Sequence, residues 1–243
     1  MDNHKYINHK AAKNIIDACR IHKMKRLIVA GSTSQYGIKP LTVSVTEDEP
    51  FEPVDSYSKS KVDAEALFRN SDIGGADLVF VRPSTLCGYS PRLRLDLAVN
   101  ALTINALVNK NIFVFGGEQM RPTLNVNDMV RFYKLVLTAP TEAIDRKAFN
   151  VLYQNKTILE LAEIVQSVVG GKLTILPNDD KRSYHVNADK MKKDLGFECK
   201  YTLEDGVNSI VKAYNKGLIP DALEDTRYYN GKRINELDLS IVR

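Results

Sequence analysis

The sequence predicts an α/β fold built around a parallel sheet, on three observations. Helical and strand-like segments alternate from Ile7 to Val81, the order in which helices cover such a sheet. The run Leu78-Val79-Phe80-Val81 is continuously apolar rather than alternating, as in a strand covered on both faces. Of 243 residues, 44% are hydrophobic and 26% charged, enough for a sizeable core.

Ile7, Ala11, Ile15 and Cys19 recur every four residues, with Ala12, Ile16 and Ala18 beside them, and predict a helix with one buried face ending near His22. A basic turn leads into a strand from Arg26 to Ala30. Gly37, Pro40, Pro50 and Pro53 punctuate a loop from Gly31 to Pro53, and a second helix is expected from about Asp55 to Asn70, closed off by Gly74-Gly75. After the strand at Leu78 to Val81, a loop runs from Pro83 to Arg94. A helix with Leu97, Ala101, Ile104 and Val108 on one face follows, then a strand from Ile112 to Phe115. A further short strand and helix occupy Thr123 to Leu137, and Phe149-Asn150-Val151 reads as a strand. Thr157 and Glu160 have capping-box spacing and open a helix whose face is Ile158, Leu161, Ala162, Val165 and Val169. Asn187 to Gly196 has an N-cap residue at one end and glycine at the other, and a last amphipathic helix carries Leu203, Val207, Ile210, Val211 and Tyr214. From Leu218 onward the chain is polar and aromatic without periodicity.

Charge and cysteine content narrow the function classes. The 34 basic and 30 acidic residues give a net charge of +4, a mixed surface without the basic stripe and interleaved aromatics of a nucleic-acid binder. No apolar run approaches the roughly 18 residues of a membrane span. Cys19, Cys87 and Cys199 are odd in number, far apart and in no C-x-x-C spacing. Neither a disulfide framework nor a metal site is expected, and the compartment reads as reducing and cytoplasmic. The Lys-rich first 26 residues contain no Ser and no apolar leader core, so they are read as part of the fold.

Tyr57 and Lys61 stand at i and i+4 on the second predicted helix, one turn apart on one face. A phenol with an ordinary pKa of about 10 exchanges protons poorly near neutrality, and a neighbouring ammonium favours the phenolate and draws that value down. Directly after the strand ending at Ala30, hydroxyls cluster in Gly31-Ser32-Thr33-Ser34-Gln35-Tyr36-Gly37. Ligands of open α/β sheets bind at the carboxyl ends of strands, where such a hydroxyl can hydrogen-bond a substrate oxygen as a proton moves.

An ordered set of segments carries a resemblance. It comprises Ser32-x-x-x-Tyr36-Gly37, Asp55-Ser56-Tyr57-Ser58-Lys59-Ser60-Lys61, Val81-Arg82-Pro83 with Gly88, Gly116-Gly117 with Arg121, and the stretch from Arg182 to Phe197. Together they resemble the extended short-chain dehydrogenase/reductase family, in particular its NAD-dependent nucleotide-sugar epimerases, dehydratases and reductases, over about residues 6 to 215. The resemblance implies a Rossmann-like parallel sheet, N-terminally incomplete, with a smaller mixed α/β substrate domain. Residues 1–85 would be a partial dinucleotide-binding domain and 86–243 mainly the substrate domain, with some strands returning to the first sheet. It implies Ser32 as catalytic hydroxyl, Tyr57 as acid/base, and Lys61 as the residue that holds the nicotinamide ribose and lowers the Tyr57 pKa. Pro83 and Ser84 would line the nicotinamide of NAD or NADP, and Asn8 matches the Asn of the family's cofactor-side helix start. Thr33, Asn100, Arg121 and Arg182 would contact a nucleoside-diphosphate sugar, Arg121 with the fork that suits phosphate. Members of the family often pair through helices equivalent to 8–18 and 56–68, which implies a homodimer.

Within that resemblance, Thr33, Ser34 and Gln35 stand where 4,6-dehydratases carry acidic residues, and Ser34 stands where 3,5-epimerase/reductases carry Cys. What remains is 4-epimerisation or 4-ketoreduction of the hexose, the epimerase ranked slightly ahead. No G-x-G-x-x-G fingerprint occurs, and neither Gly74-Gly75 nor Gly170-Gly171 lies between an early strand and the helix of a βαβ unit. The expectation is a chain lacking roughly 60–90 residues of a dinucleotide-binding half, its remaining sheet left with an exposed edge. The other reading is a non-catalytic sugar-nucleotide-binding or partner-binding module.

Overall fold

The computed structural model describes residues 3–178 and 183–236. Along the chain the elements are α1 (Asn3–His22), β1 (Arg26–Ala30), β2 (Ser44–Val45), α2 (Ser56–Arg69), β3 (Asp77–Pro83), β4 (Thr85–Cys87), α3 (Ala98–Asn109), β5 (Asn111–Phe115), β6 (Met120–Asn125) and α4 (Val126–Thr138). There follow α5 (Thr141–Ile144), β7 (Ala148–Val151), β8 (Gln154–Thr157), α6 (Ile158–Val169), β9 (Lys172–Leu176), β10 (His185–Val186), α7 (Asp189–Leu195), α8 (Leu203–Asn215) and α9 (Asn230–Glu236). The described residues of 1–84, 130–152 and 182–198 form one compact unit, and those of 85–129, 153–181 and 199–243 form another. No helix among the described residues is long and apolar enough to cross a membrane.

In the first unit, a parallel sheet runs in the order β1-β3-β7, with Val29 opposite Phe80 and Phe80 opposite Ala148. Leu78 to Val81 of the central strand β3 are all buried, which is why this stretch is a continuous apolar run, and the charged Arg82 beyond it is buried as well. Among the described residues β1 pairs with β3 alone. Ala12, Ile16 and Cys19 of α1 and Ala64 and Phe68 of α2 share one core with Leu78 and Phe80 of β3. Phe132 of α4 meets Phe197 and Phe149 edge to face, with ring centroids 5.0 and 6.1 Å apart.

The buried ridge of α1 is not the one its i+4 repeat suggested. Ala12, Ile16 and Cys19 are buried, whereas Ala11 faces solvent and Ile15 is 42% exposed. At 3.6 residues per turn, each step of four drifts by about 40°. Ile7-Ala11-Ile15-Cys19 therefore winds off any single face, and the i, i+4, i+7 set takes the core. The loop expected from Gly31 to Pro53 also holds structure, a 3₁₀ turn at Thr33–Tyr36 and the strand β2, which pairs in parallel with β10. Strands of two residues are too short to show a period.

In the second unit, β4 is parallel to β6, β6 is antiparallel to β8, and β5 is parallel to β9. Val99 and Leu102 of α3, Leu161 and Val165 of α6, and Leu203 and Val207 of α8 pack with Ile112 and Val114 of β5. Because α3 is covered from several sides, burial runs round it through Val99, Leu102, Ile104 and Ala106, while Val108 is 38% exposed. The single face expected at Leu97, Ala101, Ile104 and Val108 is corrected accordingly. Thr157 does cap α6: its Oγ1 accepts from the Glu160 N–H at 3.1 Å, and Glu160 Oε2 accepts from the Thr157 N–H at 2.8 Å. Beyond Leu218, where no periodicity was visible, Ile219 and Ala222 are buried with Leu93, Leu95 and Ile210.

Candidate active site

The turn after β1 is fixed by close packing and by its own side chains. The Gly31 N–H donates to Val81 O at 2.8 Å. A Cβ at Gly31 would lie 2.6 Å from Gln35 Oε1 and 3.1 Å from Arg82 Cγ, so a larger residue would have to displace the Gln35 amide from the Ser32 N–H. Ser32 is extended and caps the Thr33–Tyr36 turn. Its Oγ accepts from the Ser34 N–H at 3.2 Å and from Ser34 Oγ at 2.9 Å, and its own N–H donates to Gln35 Oε1 at 2.7 Å. With both acceptor positions of Oγ filled, the hydroxyl proton is what Ser32 has left to donate. Thr33 is buried and donates its hydroxyl to Pro83 O at 3.4 Å.

Helix α2 starts at a capping box: Asp55 Oδ1 accepts from the Ser58 N–H at 2.7 Å, and Ser58 Oγ accepts from the Asp55 N–H at 3.2 Å. That start leaves Tyr57 in the first turn, 40% exposed, with Lys61 one turn further on. Lys61 Nζ lies 5.8 Å from the centroid of the Tyr57 ring and donates to Ala30 O at 3.0 Å. One ammonium thus touches both the phenol's helix and the end of the strand that leads into Ser32. Burial pulls the Lys61 ammonium below the ordinary lysine range. Asn8 Nδ2 donates to Ser60 Oγ at 2.6 Å, and Ser60 Oγ donates to Tyr57 O at 2.7 Å, so Asn8 clips α1 to the residue preceding Lys61. At the end of β3, Pro83 accepts the Thr33 hydroxyl, and the Ser84 N–H donates to Val151 O at 3.0 Å. Ser84 Oγ is buried and, among the described residues, has no hydrogen-bond partner.

A buried polar network, which sequence reasoning missed, underlies the turn. Glu65, two turns along α2 from Tyr57, is 1% exposed and accepts from Arg82 Nη2 at 2.6 Å, Arg69 Nη2 at 2.8 Å and Gln35 Nε2 at 3.2 Å. Arg82, 3% exposed, also donates to Tyr36 Oη at 2.7 Å and Glu47 O at 2.9 Å, with its guanidinium 4.6 Å from the Phe51 ring centroid. Tyr36 Oη donates in turn to Asn150 Oδ1 at 2.8 Å. Burial pushes the Tyr36 phenol up to about 12 against the pull of the Arg82 charge, so it stays protonated. Burial also works to raise the Glu65 carboxyl, but the hydrogen bonds and charges of Arg82 and Arg69 outweigh it and hold the group below the usual carboxylate range.

In the second unit, Arg121 of β6 lines a cavity of about 610 Å³ together with Phe113, Phe115, Asn105, Gln119 and Asn178. Phe113 and Phe115 lie on the face of β5 opposite the buried Ile112 and Val114; residues 112–115 are apolar throughout, so the sequence marks the strand but not which of its faces is open. The three amide side chains carried no comparable signal. Arg121 Nη1 donates to Met120 O at 3.0 Å. Asn100 is away from the cavity lining and buried in α3, where its Oδ1 accepts from the Gly88 N–H at 3.0 Å and its Nδ2 donates to Arg94 O at 2.9 Å. Arg182 lies outside the described residues. Among the described residues no group of three or more His, Cys, Asp or Glu side chains is gathered as a metal site would require.

Comparison with known proteins adds to this geometry. A profile described as the NAD dependent epimerase/dehydratase family matches residues 2–151. The uncharacterized UDP-glucose epimerase YtcB of Bacillus subtilis is 26% identical over 216 residues, covering 85% of this chain and 66% of that protein. The chain therefore spans just under two thirds of that relative's length. The UDP-glucuronic acid 4-epimerase of Bacillus cereus, solved with UDP-glucuronic acid and NAD, superposes with a TM-score of 0.74 at 23% identity, covering 87% of this chain and 68% of that one. The dTDP-glucose 4,6-dehydratase of Bacillus anthracis, solved with NAD, gives a TM-score of 0.74 at 23% identity, covering 88% and 69%. At these identities the structural likeness is one of fold.

Proposed function

The chain belongs to the NAD dependent epimerase/dehydratase family, and from that premise we propose that it serves 4-epimerisation or 4-ketoreduction of a nucleoside-diphosphate hexose, with Ser32, Tyr57 and Lys61 handling the proton at C4. The observation that carries this reading is the position of Lys61 Nζ, against the Tyr57 ring and bonded to Ala30 O at the strand end that leads into Ser32.

The chemistry that a bound NAD or NADP supplies is acceptance and return of hydride. The residues present fit the nicotinamide end of such a group. Ser84 Oγ is a buried hydroxyl in want of a partner, which a ligand amide would satisfy, and the Lys61 ammonium has donors beyond the one given to Ala30 O for ribose hydroxyls. In the oxidising direction, the Tyr57 phenolate takes the O4 proton as hydride leaves C4, and a 4-keto sugar results. Ser32, its lone pairs occupied, donates its O–H to O4 throughout. Lys61 stabilises the phenolate by charge. In the reducing direction Tyr57 returns the proton to O4 as hydride adds to C4. Epimerisation would use both proton transfers by Tyr57, with the keto sugar turned between them so that its other face meets the bound cofactor, and ketoreduction would use the second transfer alone. Dehydration finds no acid in the turn, because Thr33, Ser34 and Gln35 carry no carboxyl and Glu65 beneath them is held ionised by Arg82. In the second unit, the Arg121 fork suits a diphosphate and the Phe113 and Phe115 faces suit a flat base.

The test is incubation with NAD or NADP and a panel of UDP- and dTDP-linked hexoses and hexuronates, followed by proton NMR of H4. A new H4 coupling that reports the inverted C4 identifies the epimerase, and reduction of a 4-keto sugar by the reduced cofactor identifies the ketoreductase. Binding of the nucleotide sugars with no change at C4 under any combination overturns the catalytic reading and leaves a binding module.

A further inference from the structure

We propose that Gln35, anchored by Glu65, is a positioning residue for Ser32: it locks the Ser32-bearing turn onto the helix that carries Tyr57 and Lys61. The proposal rests on the role given to Ser32 above. In an ordinary capping box the third residue's side chain reaches back to the cap N–H. Gln35 does this through Oε1, at 2.7 Å from the Ser32 N, but it is fully buried, and its Nε2 goes on to Glu65 Oε2 at 3.2 Å. Glu65 lies one turn beyond Lys61 on α2, so the segment from Ala30 to Gln35 is tied to two successive turns of that helix, by Lys61 to Ala30 O and by Glu65 to Gln35. Glu65 itself is immobilised by Arg82 and Arg69, which already neutralise it, so the Gln35 amide is not needed to balance its charge. What the amide adds is the tie. At Gly31 the backbone is close to Gln35 Oε1 and Arg82 Cγ, 2.6 and 3.1 Å from where a Cβ would stand, so Gln35 packs directly on the strand end that leads into Ser32.

Gln35→Met keeps the length and the burial but can neither accept from Ser32 nor donate to Glu65, and Gln35→Glu keeps the acceptor for the Ser32 N–H but has no donor for Glu65, which isolates the anchor. Amide hydrogen exchange resolved at Ser32 reads the tie without any turnover. In the wild type this half-buried amide should exchange at least about a hundredfold more slowly than an unstructured one, and Gln35→Met should speed it by about tenfold or more while β1 and β3 keep their protection. Gln35→Glu, which sets a carboxylate against the ionised Glu65 in place of the donating amide, should leave the Ser32 amide about as unprotected as Gln35→Met does. With a nucleotide sugar that is converted, Gln35→Met should lower kcat by about tenfold with KM within about twofold, and Gln35→Glu should not recover the loss. Unchanged Ser32 exchange, loss of protection spread equally through β1 and β3, or an unchanged kcat overturns the proposal. Should Gln35→Met fail to fold, the wild-type exchange decides, because a Ser32 amide that exchanges like an open loop contradicts the tie. If the wild type converts no sugar, the functional reading fails, and the exchange experiment still tests the tie on its own terms.

Discussion

Replacing Glu65 with Gln keeps the shape of the side chain and removes one charge, which isolates the electrostatics of the buried network. Arg69 is partly exposed, so the loss of its partner is screened and small. Arg82 is different: at 3% exposed it keeps neutral hydrogen-bond partners, Tyr36 Oη, Glu47 O and the new amide, and of its charged neighbours only the Glu47 carboxylate, which makes no hydrogen bond to it, around a cation removed from water. Leaving a buried charge without its partner costs about 3–5 kcal/mol. With a urea m-value of about 2–3 kcal/mol per molar, the midpoint followed by circular dichroism should fall by about 1 to 2.5 M. The pH dependence has a definite sign. Glu65 titrates below its unfolded value, so its contribution is complete above an unfolded carboxylate pKa of about 4.3 and is lost as pH falls through the lower, folded value. The gap between wild type and Glu65→Gln should therefore be constant from neutrality down to that range and close below it. Arg82→Met removes the cation, so the double variant should cost about 2 kcal/mol less than the sum of the two single ones. A midpoint shift under about 0.3 M, or costs that simply add, would refute the argument that a buried ion pair holds this region.

Two further predictions concern the cofactor side of the site. Burial lowers the Lys61 pKa, so turnover that needs its ammonium should decline on the alkaline side at a pH below the ordinary lysine value of about 10.4; in Lys61→Arg, whose guanidinium keeps its charge, that decline should move upward in a kcat–pH profile, and an unmoved limb would assign it to another group. Ser84→Ala removes a buried hydroxyl that has no partner among the described residues, so thermal melting without ligand should be unchanged or slightly higher, while calorimetric affinity for NAD or NADP should fall by about two- to tenfold; a loss of stability without ligand would show that the hydroxyl already serves the fold.

What was legible in the sequence was local or strongly periodic. The Tyr57–Lys61 spacing, the Thr157–Glu160 cap and the apolar run of β3 each depend on residues within one or two turns of one another, and each has its counterpart in the structure. The α1 and α3 faces were misread because helical phase drifts when a strict fourfold repeat is followed, and because α3 is covered on more than one side. The polar network was invisible for another reason. Gln35, Glu65 and Arg82 meet across separations of 17 to 30 residues, and Tyr36 meets Asn150 across 114. Composition treats each of these polar side chains as surface. Only the sheet, by bringing β1, β3 and β7 side by side, turns them into one buried group.

The most direct test of the account is C4 conversion by Tyr57→Phe, measured by NMR on a nucleotide hexose that the wild type accepts, with cofactor affinity measured in parallel. Loss of the phenolic proton carrier should lower kcat by about a hundredfold or more, in the range of general acid–base catalysis, with cofactor affinity changed by no more than a few-fold. A Tyr57→Phe protein that converts the sugar at close to the wild-type rate would contradict the assignment of Tyr57, and with it the reading of Ser32 and Lys61 as its partners.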